Sequence, residues 1–184
     1  VRTMIHGYSP VVWDSQVEFV LDHMVVDTVE GTADGANTVY TVTLQDDLVY
    51  SDGETPITAA DYVFSYLLCA SDEVAQLGAQ TRQYEHIVGY EEYASGESDV
   101  FTGVRLLDTY TYSITVKGSY EPFFYNYAYL RTNPYPISVI APYCEVADDG
   151  DGAYLRSMDP EAEEVPFTVE VLTETIFDEE TGYM

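Results

Sequence analysis

The chain has 184 residues, with 6 Lys+Arg against 33 Asp+Glu and a formal net charge of -27. That length suits one substantial domain, since domains usually hold about 100–200 residues, and the charge repels phosphate backbones and anionic lipid headgroups, which argues against nucleic-acid and membrane-surface roles. At 46% hydrophobic residues the sequence has enough apolar material to fold and is not a disordered acidic tail.

Residues 1 to 26 scatter apolar groups, Val11, Val12 and Trp13 and then Phe19, Val20 and Leu21, among polar gaps, which predicts short strands or a strand and a turn. In TADGANTVYTVTLQDD a turn cluster precedes strict alternation, with Tyr40, Val42 and Leu44 on one face and Thr41 and Thr43 on the other. That is the pattern of a half-buried strand entered from a tight turn. Asp52-Gly53 and Pro56 then break the chain, and Thr58 with Asp61 three residues on carries the start signal of a helix of about four turns. Its apolar residues, Tyr62, Val63, Tyr66, Leu67 and Ala70, form one stripe that must pack against something.

Residues 72 to 98 predict a short helix and a loop, with His86, Ile87, Val88 and Tyr90 as an apolar patch. VRLLDTYTYSITVKG predicts a hairpin around Asp108-Thr109, in which Tyr112, Ile114 and Val116 alternate with Thr111, Ser113 and Thr115. Glu121-Pro122 can open an aromatic helix near Tyr125, which the prolines of TNPYPISVIAPY stop. From residue 147 onward the acidic, Pro-broken sequence reads as a peripheral extension ending in a short alternating FTVEVL, so the chain divides into 1–146 and 147–184.

Few motifs carry chemistry. The run DDGDG at 148 to 152 invites a calcium loop, but with Gly152 as its turn glycine the first and twelfth ligand positions fall on Ala147 and Met158, and the anchoring carboxylates are missing. His6, His23 and His86 are far apart, and neither HExxH nor a His-Cys cluster is present, so no metal and no cofactor is expected. GxSxG, GxxxxGK[ST] and GxGxxG are absent, and Lys117 is the sole lysine, so an enzyme is not expected. Cys69 and Cys144 read as two free thiols in preference to a disulfide. The longest apolar runs are far below the ~18 residues that span a bilayer.

The order of elements carries a resemblance. Asp52-Gly53-Glu54-Thr55-Pro56-Ile57-Thr58-Ala59-Ala60-Asp61-Tyr62-Val63-Phe64-Ser65, preceded by a Tyr-Thr-Val-Thr-Leu strand, resembles the signature of the family 5 extracellular solute-binding proteins, with one extra residue between Gly and Pro. Val104 through Thr111 is similar to the family's "Val-x-x-x-Asp-x-x-Thr" hairpin, and Pro122 through Pro136 to its aromatic helix and proline-marked strand. The resemblance covers roughly residues 4 to 143 and implies an α+β fold: a twisted, mostly antiparallel sheet with flanking helices, a fragment of a periplasmic-binding-protein-like (type II, peptide-binding) fold.

It further implies that the chain is cut from a longer protein, part of the first lobe with the small extra domain. The implied parent is the substrate-binding component of an ABC importer, extracellular or periplasmic and anchored at the cell surface. It would bind oligopeptides or other small ligands in a cleft between two lobes and deliver them to permease subunits. By the same resemblance Tyr84 matches a tyrosine that faces the cleft, and Arg131 a polar position near the ligand's carboxyl end. The alternative is a surface sensor or protein-interaction module built on the same fold. Read without the resemblance, Tyr84 is a half-buried core tyrosine and Arg131 a cation at a helix C-terminus.

Overall fold

The computed structural model describes residues 7–16, 18–79, 82–120 and 126–177. The scattered apolar groups near the N-terminus form a hairpin, β1 (Val11–Trp13) paired antiparallel with β2 (Phe19–Leu21), so that Trp13 lies opposite Phe19. The turn is closed by Asp14, whose carboxylate accepts the backbone N–H of Gln16 and of Glu18, both at 2.8 Å.

The main sheet has the order β3-β4-β6-β5, with every neighbouring pair antiparallel. Strand β4 (Asn37–Leu44) buries Tyr40, Val42 and Leu44 on one face, as the alternation requires. Its partner β3 (Val26–Asp34) extends the hairpin well beyond the expected turn, which shrinks to Gly35 and Ala36, and Gly35 takes the left-handed φ of 60° that such a two-residue loop demands. The sequence gives no sign of β3 because it is an edge strand. Only Val26 is buried and Val29 half-buried, so no apolar alternation is needed. The hairpin predicted around Asp108-Thr109 is present as β5 (Val104–Asp108) and β6 (Thr111–Val116).

Helix α1 (Ala59–Ala70) begins at Thr58, whose N–H and Oγ1 both approach the Asp61 carboxylate, at 2.9 and 3.1 Å. It is more deeply enclosed than a single apolar stripe implies. Tyr62, Val63, Tyr66, Leu67 and Ala70 enter the core over the sheet, while Phe64 and Leu68 enter a second core with Ile140, Ala141, Cys144 and Leu172. A helix that is apolar on both sides is a central element, and burying each large side chain is worth roughly 1.5–3 kcal/mol. Ser65 ties its flank to the following extended segment, with Oγ 2.9 Å from Asp61 O and 3.1 Å from the Tyr135 N–H that donates to it.

Among the described residues, 72 to 98 hold three short pieces, α2 (Asp72–Gln76), a 3-10 turn (Arg82–Tyr84) and α3 (Tyr90–Ala94), where one helix and a loop were expected. The start of the expected aromatic helix, Glu121 to Tyr125, lies outside the described residues, and Asn126–Leu130 continues as a 3-10 turn. After Pro136 comes the short helix α4 (Ile137–Ile140).

The hairpin β7 (Cys144–Asp148) and β8 (Ala153–Ser157) spans the position at which the chain was expected to divide, between 146 and 147. Ala153 is fully buried in the main core, and Leu172, in α5 (Val169–Leu172), is fully buried in the second. The buried positions among the described residues beyond 147 are few and set among acidic residues. Thr168 caps α5 by accepting the Val171 N–H, which turns the alternating FTVEVL into a helix start.

Candidate functional site

Tyr84 and Arg131 both come to the surface segment formed by Asn126–Leu130 and the residues after it, the first buried against it and the second exposed on it. Tyr84 is buried, with its hydroxyl 2.9 Å from Thr132 Oγ1 and its ring 4.6 Å from that of Tyr66. Burial pushes its phenol well above the usual range, so it is a neutral hydrogen-bonding group. Arg131, next to Thr132 in the chain, is exposed, and its N–H closes the 3-10 turn on Ala128 O at 3.2 Å. One residue supports the segment from beneath and the other projects from it.

The segment also carries the N-terminal hairpin, since β1 and β2 both pack on Asn126–Leu130. Trp13, half exposed, lies over Phe19 with 3.8 Å between ring centroids, and Tyr127 is exposed on the segment itself. Exposed aromatic rings and a solvent-exposed guanidinium on one segment and the hairpin packed on it can hold a ligand by contact and hydrogen bonding. His86, passed over in the sequence as one of three scattered histidines, sits beneath this surface among Tyr84, Tyr120 and Tyr129. The spacing Tyr84-x-His86 beside so many aromatics was the available signal.

Other candidates resolve differently. An open depression of about 430 Å³ lies at the start of α1, lined by Thr58, Ala60, Leu106, Leu107, Asp108 and Thr109, away from both expected residues. In the acidic run, Asp148 is occupied by Arg105, whose Nε and Nη2 reach its carboxylate at 2.7 and 3.0 Å, and by the N–H groups of Leu106 and Gly150 at 3.0 and 2.8 Å. Among the described residues no group of three His, Cys, Asp or Glu side chains is placed to hold a metal ion. Cys69 borders the main core and Cys144 lies in the second, both as free thiols that burial pushes up to about 11. No helix among the described residues is long and apolar enough to cross a membrane.

Residues 27–160 match the profile of the bacterial extracellular solute-binding proteins, family 5, middle portion. The chain belongs to that family. This family 5 chain is 32% identical over 108 residues to the periplasmic oligopeptide-binding protein OppA of Escherichia coli, a stretch covering 58% of the chain and 20% of OppA. Among solved structures it is similar to a periplasmic oligopeptide-binding protein (OppAIV) of Borrelia burgdorferi, with a TM-score of 0.59 and 28% identity over 73% of the chain and 26% of that protein. It is also similar in fold to Listeria monocytogenes OppA bound to peptide, with a TM-score of 0.56 and 18% identity over 76% and 30% of the two chains. The family 5 chain thus spans about a fifth of the length of its curated relatives and carries a fragment of the peptide-binding-protein fold, mixed helix and antiparallel sheet.

Proposed function

We propose that this chain is part of the substrate-binding component of an ABC importer that takes oligopeptides. The ligand would sit in a cleft that the rest of the polypeptide completes. The observation that carries this reading is the similarity, over more than half of the chain, to a protein named for oligopeptide binding. A place outside the cytoplasmic membrane is supported by relatives named as periplasmic; in this proposal the parent protein is also held at the cell surface and hands its ligand to permease subunits. The role is binding without catalysis.

Within it, Arg131 would contact the ligand directly, because its charge is exposed beside the aromatic surface, and Tyr84 would act from beneath by fixing Thr132 and hence the course of the segment. Isothermal calorimetry of the full-length protein against a library of peptides of graded length tests this. Micromolar or tighter binding of some peptides, weakened in Arg131→Ala, supports it. No peptide binding by the intact protein would overturn the substrate class, and unchanged affinity in Arg131→Ala would overturn the residue assignment. The 184-residue chain alone should bind weakly or not at all, since part of a cleft supplies few contacts.

A further inference from the structure

His86 stands where three segments meet. Its backbone is tied to the end of β6, with the Lys117 N–H donating to the His86 carbonyl at 2.8 Å. Its side chain points to the surface segment: Nε2 lies 3.4 Å from the Tyr129 carbonyl, and the rings of Tyr129, Tyr120 and Tyr84 surround the imidazole at 4.9, 6.1 and 6.3 Å between centroids. Tyr129 closes the junction by donating its hydroxyl to Tyr120 O at 2.6 Å. One small ring therefore links the sheet, the 3-10 turn Gly118–Tyr120 and the segment Asn126–Leu130 on which the β1–β2 hairpin rests.

We propose that His86 is an acid-sensitive pin, which as the neutral imidazole holds Asn126–Leu130 against the sheet and on protonation releases that segment from beneath the β1–β2 hairpin. The surroundings are arranged against a charged ring. Partial burial strips some of its water, and the Lys117 ammonium adds repulsion, while the Tyr129 carbonyl favours the charged form. Among the described residues, the carboxylates of the neighbouring turns are paired with cations. Glu91 grips Lys117 at 2.8 and 2.6 Å, and Glu85 faces Arg82 at 3.2 Å. The tyrosines offer no countercharge, and of their rings only Tyr129 is within the ~6 Å over which an aromatic face attracts a cation.

The result is a histidine held down to about 4, with burial the leading cause. An open segment would return the ring to water and to its ordinary value of about 6.5. The sign follows by linkage. The closed state is fully favoured above about pH 6.5 and loses ground as pH falls toward 4, so the opening equilibrium rises by up to about tenfold per pH unit and by roughly 100-fold between pH 7 and 4, toward a limit of about 300-fold at lower pH.

Amide hydrogen exchange of the chain between pH 7 and 4, corrected for intrinsic rates, reads this directly. The Arg131 amide, which donates to Ala128 O, reports the segment, and the β4 amides report global unfolding. Protection at Arg131 should fall by about 100-fold between pH 7 and 4 while β4 holds, and in His86→Gln it should be independent of pH. Constant protection at Arg131 in the wild type, or the same fall in His86→Gln, would overturn the proposal. An NMR titration of the His86 ring is independent of any variant: a midpoint near 4 supports the pin, and one near 6.5 removes it.

Discussion

Replacing Asp148 tests whether the β7–β8 hairpin is bound into the domain by charge. Its side chain is 2% exposed and accepts four hydrogen bonds, two from Arg105, one from Leu106 N and one from Gly150 N. Removing one member of a fully buried ion pair costs about 3–5 kcal/mol, because the abandoned charge stays dry. Arg105 is 31% exposed and can partly rehydrate, and Gly150 is at the surface, so the loss in Asp148→Ala should be lower, about 2–3 kcal/mol. For a domain of this size that is a fall in Tm of roughly 4–12 °C.

The pH dependence has a definite sign. Burial pushes the Asp148 carboxyl up, but the bonds from Arg105, Gly150 and Leu106 together outweigh it and leave the group below the ordinary aspartate value of 3.8. Its contribution is therefore complete above about pH 4 and fades as pH falls through the lower folded-state value. Urea unfolding of wild type and Asp148→Ala at a series of pH values gives the difference free of the other carboxylates. A gap under about 0.5 kcal/mol at pH 7, the size of an ordinary surface substitution, would refute the reasoning. So would a gap that does not shrink toward pH 2.

Three further outcomes are expected. Gly103→Ala would put a Cβ 2.2 Å from Val88 O and 2.9 Å from Val88 N, where backbone cannot yield, so urea unfolding should show a loss of about 2–3 kcal/mol; a change under 0.5 kcal/mol would contradict the packing described. With a net charge of -27 on 10811 Å² of surface, self-repulsion should be strong at low salt, and Tm should rise by several degrees between 10 and 500 mM NaCl, where the Debye length drops from about 30 Å to under 5 Å; a flat or falling Tm would mean that the acidic groups do not strain the fold. A chain ending at residue 146 loses β8, the Asp148 bonds and Leu172, and should show no cooperative melt by circular dichroism; a melt close to that of the whole chain would support 1–146 as a unit of its own.

Elements with a buried face and clear punctuation were legible in the sequence. Strand β4 could be read because Tyr40, Val42 and Leu44 must all face inward, and α1 because Thr58 and Asp61 mark its start chemically. Strand β3 could not, because an edge strand with both faces largely in water needs no apolar period. The second core was hidden for another reason: Phe64 and Leu68 meet Ile140 and Leu172 only through contacts distant in sequence. Of the candidate site, the family resemblance implied Tyr84 and Arg131, whereas His86 showed only as a Tyr84-x-His86 spacing among aromatics, whose meaning needs the folded contacts with Tyr120 and Tyr129.

The residues that reveal the family are scaffold residues, and this limits what they say about ligand. Within the signature, Asp61, Tyr62, Val63, Phe64 and Ser65 are all buried, and the Asp61 carboxylate is spent on Thr58. A site facing a ligand cannot be built from groups so enclosed. The exposed groups near the candidate surface, Trp13, Tyr127 and Arg131, are instead free of packing constraint on their outer sides, so neither pattern nor core volume dictates their identity. The family signature is thus legible in residues that build the two cores, a different set from the exposed side chains of the surface segment.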